Sequence, residues 1–127
     1  MTGSPVYVDA ATMLTLLERD APDHNVAKTM LDISLHARRA LISTNYDVVR
    51  ASLLAQDRHG QAGVELLLRS LAPLLRIQWC SSEEHAAAVE MLLVSPGSER
   101  DLVTALGNLI MRRRDIRPLL RTTQEAG

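Results

Sequence analysis

The feature that most constrains this chain is a change of period inside one short stretch near its start. Pro5-Val6-Tyr7-Val8 spaces its apolar residues as a strand does, and from Asp9 onward Ala10, Met13, Leu14 and Leu17 fall at i, i+3, i+4 and i+7, the spacing of a helix. An acid at a strand-to-helix junction is a recurrent site position, because ligands of open α/β sheets bind beyond the carboxyl ends of the strands. The same position is that of a helix N-cap, a task Asp performs well. Both readings of Asp9 stand at this point.

The rest of the chain repeats the alternation. Asp23 is placed to cap a helix that carries Ala27, Met30, Leu31, Ser34 and Leu35 on one face. Ala40 to Thr44 reads as a short buried strand, stopped by Asn45, which can cap a third helix over Tyr46 to His59. Val49, Ser52, Leu53 and Gln56 form one stripe of that helix, with Val48, Ala51 and Ala55 beside it, and Gly60 follows as a left-handed cap. A fourth helix with Ala62, Leu66, Leu67 and Leu71 breaks before Pro73, and Leu74 to Cys80 alternates as a strand. Ser81 and Glu84 form a capping box for the next helix. After the loop Ser95-Pro96-Gly97-Ser98, Asp101 caps a last helix that turns Leu102, Ala105, Leu106, Leu109 and Ile110 inward, and Ile116 with Leu119 and Leu120 suggests a final short strand. Strands separated by helices imply parallel pairing. The expectation is one α/β domain over residues 1–127, a three-layer α/β/α arrangement with a short parallel sheet of three to five strands.

Composition narrows the function classes. With no Phe, one Trp and two Tyr, the core must be built from Leu, Ala, Val, Ile and Met, and a platform of aromatic rings for stacking bases is lacking. A net charge of −1 gives no global field that would recruit nucleic acid. The charges are unevenly placed, however. Acids dominate the first 25 residues, whereas Arg112, Arg113, Arg114, Arg117 and Arg121 crowd the end of the chain, where they suit RNA phosphates or the negative pole of a helix. Cys80 is the sole cysteine, which leaves no disulfide framework, and His24, His36, His59 and His85 lack zinc-motif pairing. No apolar run reaches membrane-span length and no leader is evident, so the expected location is the cytoplasm, with no membrane partner.

Val6-Tyr7-Val8-Asp9-Ala10-Ala11 resembles the opening of the PIN domain, the fold of small metal-dependent ribonucleases that include the VapC-like toxins of bacterial toxin–antitoxin pairs. The likeness continues through Asp23 to Ala27, Leu41 to Tyr46, Arg58-His59-Gly60, His85 to Ala88 and Arg100 to Leu106, in the family's order over nearly the whole chain. In active members three or four carboxylates at the strand ends hold Mg²⁺ or Mn²⁺, which orients a water and stabilises charge on the scissile phosphate. By this resemblance Asp9 matches the first acid. The second falls on Arg50, the third on Thr104, and the fourth lies near Thr122-Thr123-Gln124, which contains no Asp.

Hard divalent cations want several oxygen ligands, and one carboxylate holds them poorly. The resemblance with its missing acids therefore implies a nuclease scaffold with impaired catalysis, acting as a binding module and needing no cofactor. Arg50 would serve as counter-charge to Asp9. The competing expectation is an Mg²⁺- or Mn²⁺-dependent endoribonuclease in which Asp47 and Asp101, each one turn before a substituted position, join Asp9 as ligands, with Asn45 or Thr104 assisting. The partners implied are a second copy of the chain, an antitoxin-like protein, or RNA.

Overall fold

The computed structural model describes residues 3–95, 97 and 99–120. Each strand is short and the first three are each followed by helix: β1 Val6–Tyr7, α1 Ala10–Leu17, α2 His24–His36, β2 Leu41–Thr44, α3 Asn45–Glu65, β3 Arg76–Gln78, α4 Ser82–Val94, α5 Leu102–Arg114 and β4 Arg117–Pro118. The sheet has the order β3-β2-β1-β4, and all its pairs are parallel, with Val6 opposite both Leu41 and Arg117, and Ile42 opposite Arg76. Four parallel strands between helical layers match the expected class.

Alternation along β1 builds the two layers. Val6 and Val8 face a core with Met13, Leu14, Ala51, Ala55, Leu67 and Leu71, contributed by α1, α3 and the segment after α3. Tyr7 points to the other side, with Ile42 of β2 and with Ala88, Ala105, Leu106 and Ile110 of α4 and α5. The two near-fully buried faces of β1 and β2 explain why both strands read as apolar runs.

Several local expectations are revised. Thr44, not Asn45, caps α3: its side chain accepts the Asp47 N–H, while the Asn45 amide oxygen accepts the Cys80 N–H at 2.9 Å and ties the ends of β2 and β3 together. Asp23 makes no side-chain cap, because its backbone (φ −98°, ψ 10°) is not the extended one an N-cap uses. Gly60 does adopt positive φ (66°), yet the chain resumes helix at once, so α3 runs on to Glu65 and then widens into a π-helical Leu66–Leu71 and a 3₁₀ turn Ala72–Leu74. The stripe Val49 and Leu53 faces outward, at 58% and 62% exposure, and Ala51 and Ala55 are buried instead. Close approach to α1 needs small residues, and the alanines supply it. The final strand is Arg117–Pro118 alone, and the strand after α3 shrinks to Arg76–Gln78.

Candidate functional site

Beyond the carboxyl ends of β1 and β2 lies a cleft of about 960 Å³, walled by α1, α3 and α5 and lined among others by Asp9, Asp47, Arg50 and Thr104. Asp9 follows β1 in extended backbone, and its Oδ1 accepts the Thr12 N–H at 2.8 Å. It is thus the N-cap of α1 and a lining residue of the cleft at once.

Asp47, on the first turn of α3, is 3% exposed. Its Oδ2 accepts from the Tyr7 hydroxyl at 2.5 Å and the Thr44 hydroxyl at 2.9 Å, and its Oδ1 accepts the Ala10 N–H at 3.0 Å. The carboxylate therefore joins β1, the start of α1 and the end of β2. Burial pushes the Asp47 carboxyl up to about 6, against the lowering effect of its three donors, with a smaller upward push from Asp9. Tyr7, buried beside that carboxylate, holds its proton far beyond the usual phenol range, first through burial and then through the Asp47 charge. Gly107 of α5 leaves room for the ring: a Cβ there would sit 3.1 Å from the Tyr7 oxygen.

Arg50, one turn along α3, pairs with Asp101 and not with Asp9. Its Nη1 lies 2.8 Å from Asp101 Oδ2. The reason is positional: the pair spans α3 and α5, whereas Asp9 sits at the start of α1. Asp101 is the N-cap of α5, its Oδ1 accepting the Thr104 N–H at 2.9 Å. Burial alone would raise the Asp101 carboxyl, but the Thr104 N–H and the Arg50 guanidinium outweigh it and hold it below the usual carboxylate range. Thr104 lines the cleft; Asn45 does not, and Asp101 is joined to it through Arg50.

Sequence reasoning passed over Tyr7, Glu18 and Arg58. Glu18, at the end of α1, accepts from Arg58 at 3.2 Å and meets His59 Nε2 at 2.8 Å, bracing α1 against α3 beside the cleft. The only sequence signal for Tyr7 was a hydroxyl inside an otherwise apolar strand. Arg112, Arg113, Arg114 and Arg117 are exposed at the end of α5 and in β4, with Arg112 reaching Glu99 at 3.5 Å. Residues 122–124, where the fourth acid of the resemblance would fall, lie outside the described residues.

This donor set does not suit a hard divalent cation. Among the described residues no group of three or more His, Cys, Asp or Glu side chains is arranged to share an ion. Asp47 is spent on three internal donors, and an ion on Asp101 would sit beside the Arg50 guanidinium. At about 4 Å and an effective dielectric of 20, two unit charges repel by about 4 kcal/mol, and a doubly charged ion doubles that. Asp9 alone presents few oxygens.

No family model and no curated protein matches the chain. Among solved structures, the crystal structure of Mycobacterium tuberculosis VapC20, titled a Sarcin-Ricin loop cleaving toxin, superposes with a TM-score of 0.80 at 17% identity, covering 96% of this chain and 95% of that one. A likeness at that identity carries the backbone arrangement and leaves the chemistry to each chain's own side chains. With its four parallel strands, its flanking helices and its cleft beyond the strand ends, the chain has the VapC-like PIN-domain fold.

Proposed function

We propose that this chain is a PIN-fold domain that has given up metal-dependent RNA cleavage and serves in the cytoplasm as a binding module. One observation carries the reading. Asp47, the acid best placed on α3 to join Asp9, is buried and bonded by Tyr7, Thr44 and Ala10, so it works as a structural tie. Removing it from that role to hold an ion would leave three buried donors unsatisfied, each costing about 1–3 kcal/mol.

The first partner of the module is a second copy of the chain. Val49 and Leu53 form an apolar stripe on the outer face of α3, with half-buried Tyr46 at the start of the same helix, and Trp79 just after β3 is exposed as well. Tyr and Trp are the side chains that anchor protein interfaces. An antitoxin-like protein is a second occupant of that surface, and the exposed Arg112, Arg113, Arg114 and Arg117 offer contacts to RNA phosphates.

The test is an RNA cleavage assay with Mn²⁺ on the wild type beside Arg50→Glu/Thr104→Asp. Cleavage confined to the double variant is expected. Cleavage by the wild type, lost in Asp9→Asn, would instead establish a working ribonuclease.

A further inference from the structure

We infer that Glu99 is a latch that phosphate can release: it holds residues 99–101 down on α5, and single-stranded RNA that engages Arg112 frees this segment and opens the cleft. The inference rests on the reading above for the contact between the arginine cluster and RNA phosphates, and goes beyond it in coupling that contact to the cleft.

Glu99 stands between two hollows. It lines the cleft together with Arg100, Thr104 and Asn108, and it lines a smaller hollow of about 460 Å³ against α4 together with Met91 and Arg112. Its side chain is 8% exposed, so its carboxylate depends on protein donors. Two are printed on the same face of α5, one turn apart: Asn108 donates through Nδ2 at 2.7 Å, and Arg112 brings Nη2 to 3.5 Å. The two donors differ in access. Arg112 is 70% exposed and stands beside the exposed Arg113 and Arg114. A phosphate chain drawn to that cluster competes with Glu99 for the Arg112 guanidinium, because the fork of donors fits phosphate as well as carboxylate. Once Arg112 turns outward, a buried negative charge is left on a single amide, and water becomes the better environment for it.

What the latch holds is the entry to α5. Two residues on, Asp101 caps the helix: its side chain accepts the Thr104 N–H at 2.9 Å and its carbonyl accepts the Ala105 N–H at 2.9 Å. The tie from Asp101 to Arg50 joins side chains about one-third exposed, a weak hold on its own. Residues 99–101 are therefore pinned at one end on α5 by Glu99 and at the other on α3 by Asp101, while Glu99 and Arg100 form part of the cleft wall. Releasing the Glu99 end frees that part of the wall. The coupling is reciprocal, so an open latch in turn leaves Arg112 free for phosphate.

The experiment is amide hydrogen exchange on the full chain in EDTA, without and with poly(U), for wild type, Arg112→Gln and Glu99→Gln. In wild type, poly(U) should speed exchange at Thr104 and Ala105, whose acceptors both belong to Asp101, by about tenfold, the effect of losing one charge-assisted hydrogen bond. Leu109 and Ile110, buried further along α5, should not change. Both variants should show the faster exchange without RNA and no further gain with it. Unchanged exchange in a wild type that holds poly(U), or a response that survives in Arg112→Gln, overturns the inference. Filter binding in the same buffer separates the two readings. Poly(U) held without faster exchange defeats only the latch, whereas a wild type that does not hold poly(U) defeats the RNA contact of the proposed function as well.

Discussion

The Tyr7 hydroxyl stands 2.5 Å from Asp47 Oδ2, across 40 residues of chain, with both side chains buried. This contact fixes the floor of the cleft. It binds the first strand to the first turn of α3, and the same carboxylate takes the Ala10 N–H that opens α1. A single buried charge thus sets the relative positions of three elements.

The stability of the domain should consequently depend on pH through Asp47. Its carboxyl is raised by burial from an ordinary 3.8 to about 6 in the folded protein. A native pKa above the unfolded one means that the folded state holds the proton more tightly. The group's favourable contribution is then complete below about pH 4 and is lost as pH climbs through about 6. A shift of this size corresponds to a few kcal/mol at most. The melting temperature should rise by several degrees from pH 7 to pH 5, and Asp47→Asn should flatten that trend. Asp101, depressed by Thr104 and Arg50, acts in the opposite sense and only at lower pH, where its stabilising charge is lost as the carboxylate is protonated. A melting temperature that falls steadily from pH 7 to pH 5 would refute the assignment.

Gly107→Ala should strain the same contact from the other side. A methyl group would come within 3.1 Å of the Tyr7 oxygen and 3.4 Å of its ring, closer than ordinary packing, and the ring is buried with little freedom to retreat. Alanine gains up to about 1 kcal/mol over glycine within a helix. Overpacking a core costs about 1–3 kcal/mol. The balance should be a net loss of about 1 kcal/mol, read as a lower urea midpoint with an unchanged slope. Pairing the substitution with Tyr7→Phe should show non-additivity, since both act on one hydroxyl.

The fold was largely legible in the chain itself, and the site only in part. Strand and helix periods located β1, β2 and α1 because those segments bury almost everything they carry, and the capping box at Ser81 and Glu84 forms as read. Errors gathered where a side chain's direction depends on which neighbour it meets. The stripe of Val49 and Leu53 is as apolar as a core stripe, but α3 packs on α1 through Ala51 and Ala55, and nothing local to α3 distinguishes the two faces. Asp9 caps α1, as its place between strand and helix suggests. The partner of Arg50 is not legible in the chain, since an ion pair 51 residues apart in sequence leaves no periodic trace. Asp47 lies one helical turn before Arg50, and only the fold reveals its hydrogen bonds to Tyr7, Thr44 and Ala10.

The Arg50–Asp101 pair should contribute modestly to stability despite its position. Both side chains are about one-third exposed, and ion pairs of that kind measure about 0.2–1 kcal/mol in double-mutant cycles. A cycle of Arg50→Gln and Asp101→Asn in EDTA should give a coupling within that range, reduced at high salt. A coupling well above it would mean that the pair is shielded from water, and that its substitution disturbs the cleft beyond the loss of one contact.

Self-association gives the last expectation. Val49 and Leu53 leave 58% and 62% of their surface open on one helix face, and Trp79 leaves 73%. Exposed apolar side chains side by side on one helix suit the contact face proposed above. Leu53→Glu places a charge at the centre of that stripe. In the monomer the position is solvent-exposed, so the folding stability of an isolated chain should change by less than about 0.5 kcal/mol. In a dimer two such charges would face each other or lie buried without partners, which is costly by several kcal/mol. Sedimentation should show wild type as a dimer and Leu53→Glu as a folded monomer with the same helical content. Lys28→Glu, a charge change in α2 away from the α3 stripe, should leave the wild-type state intact. Wild type that sediments as a monomer at high concentration would exclude the second copy as the occupant of this face.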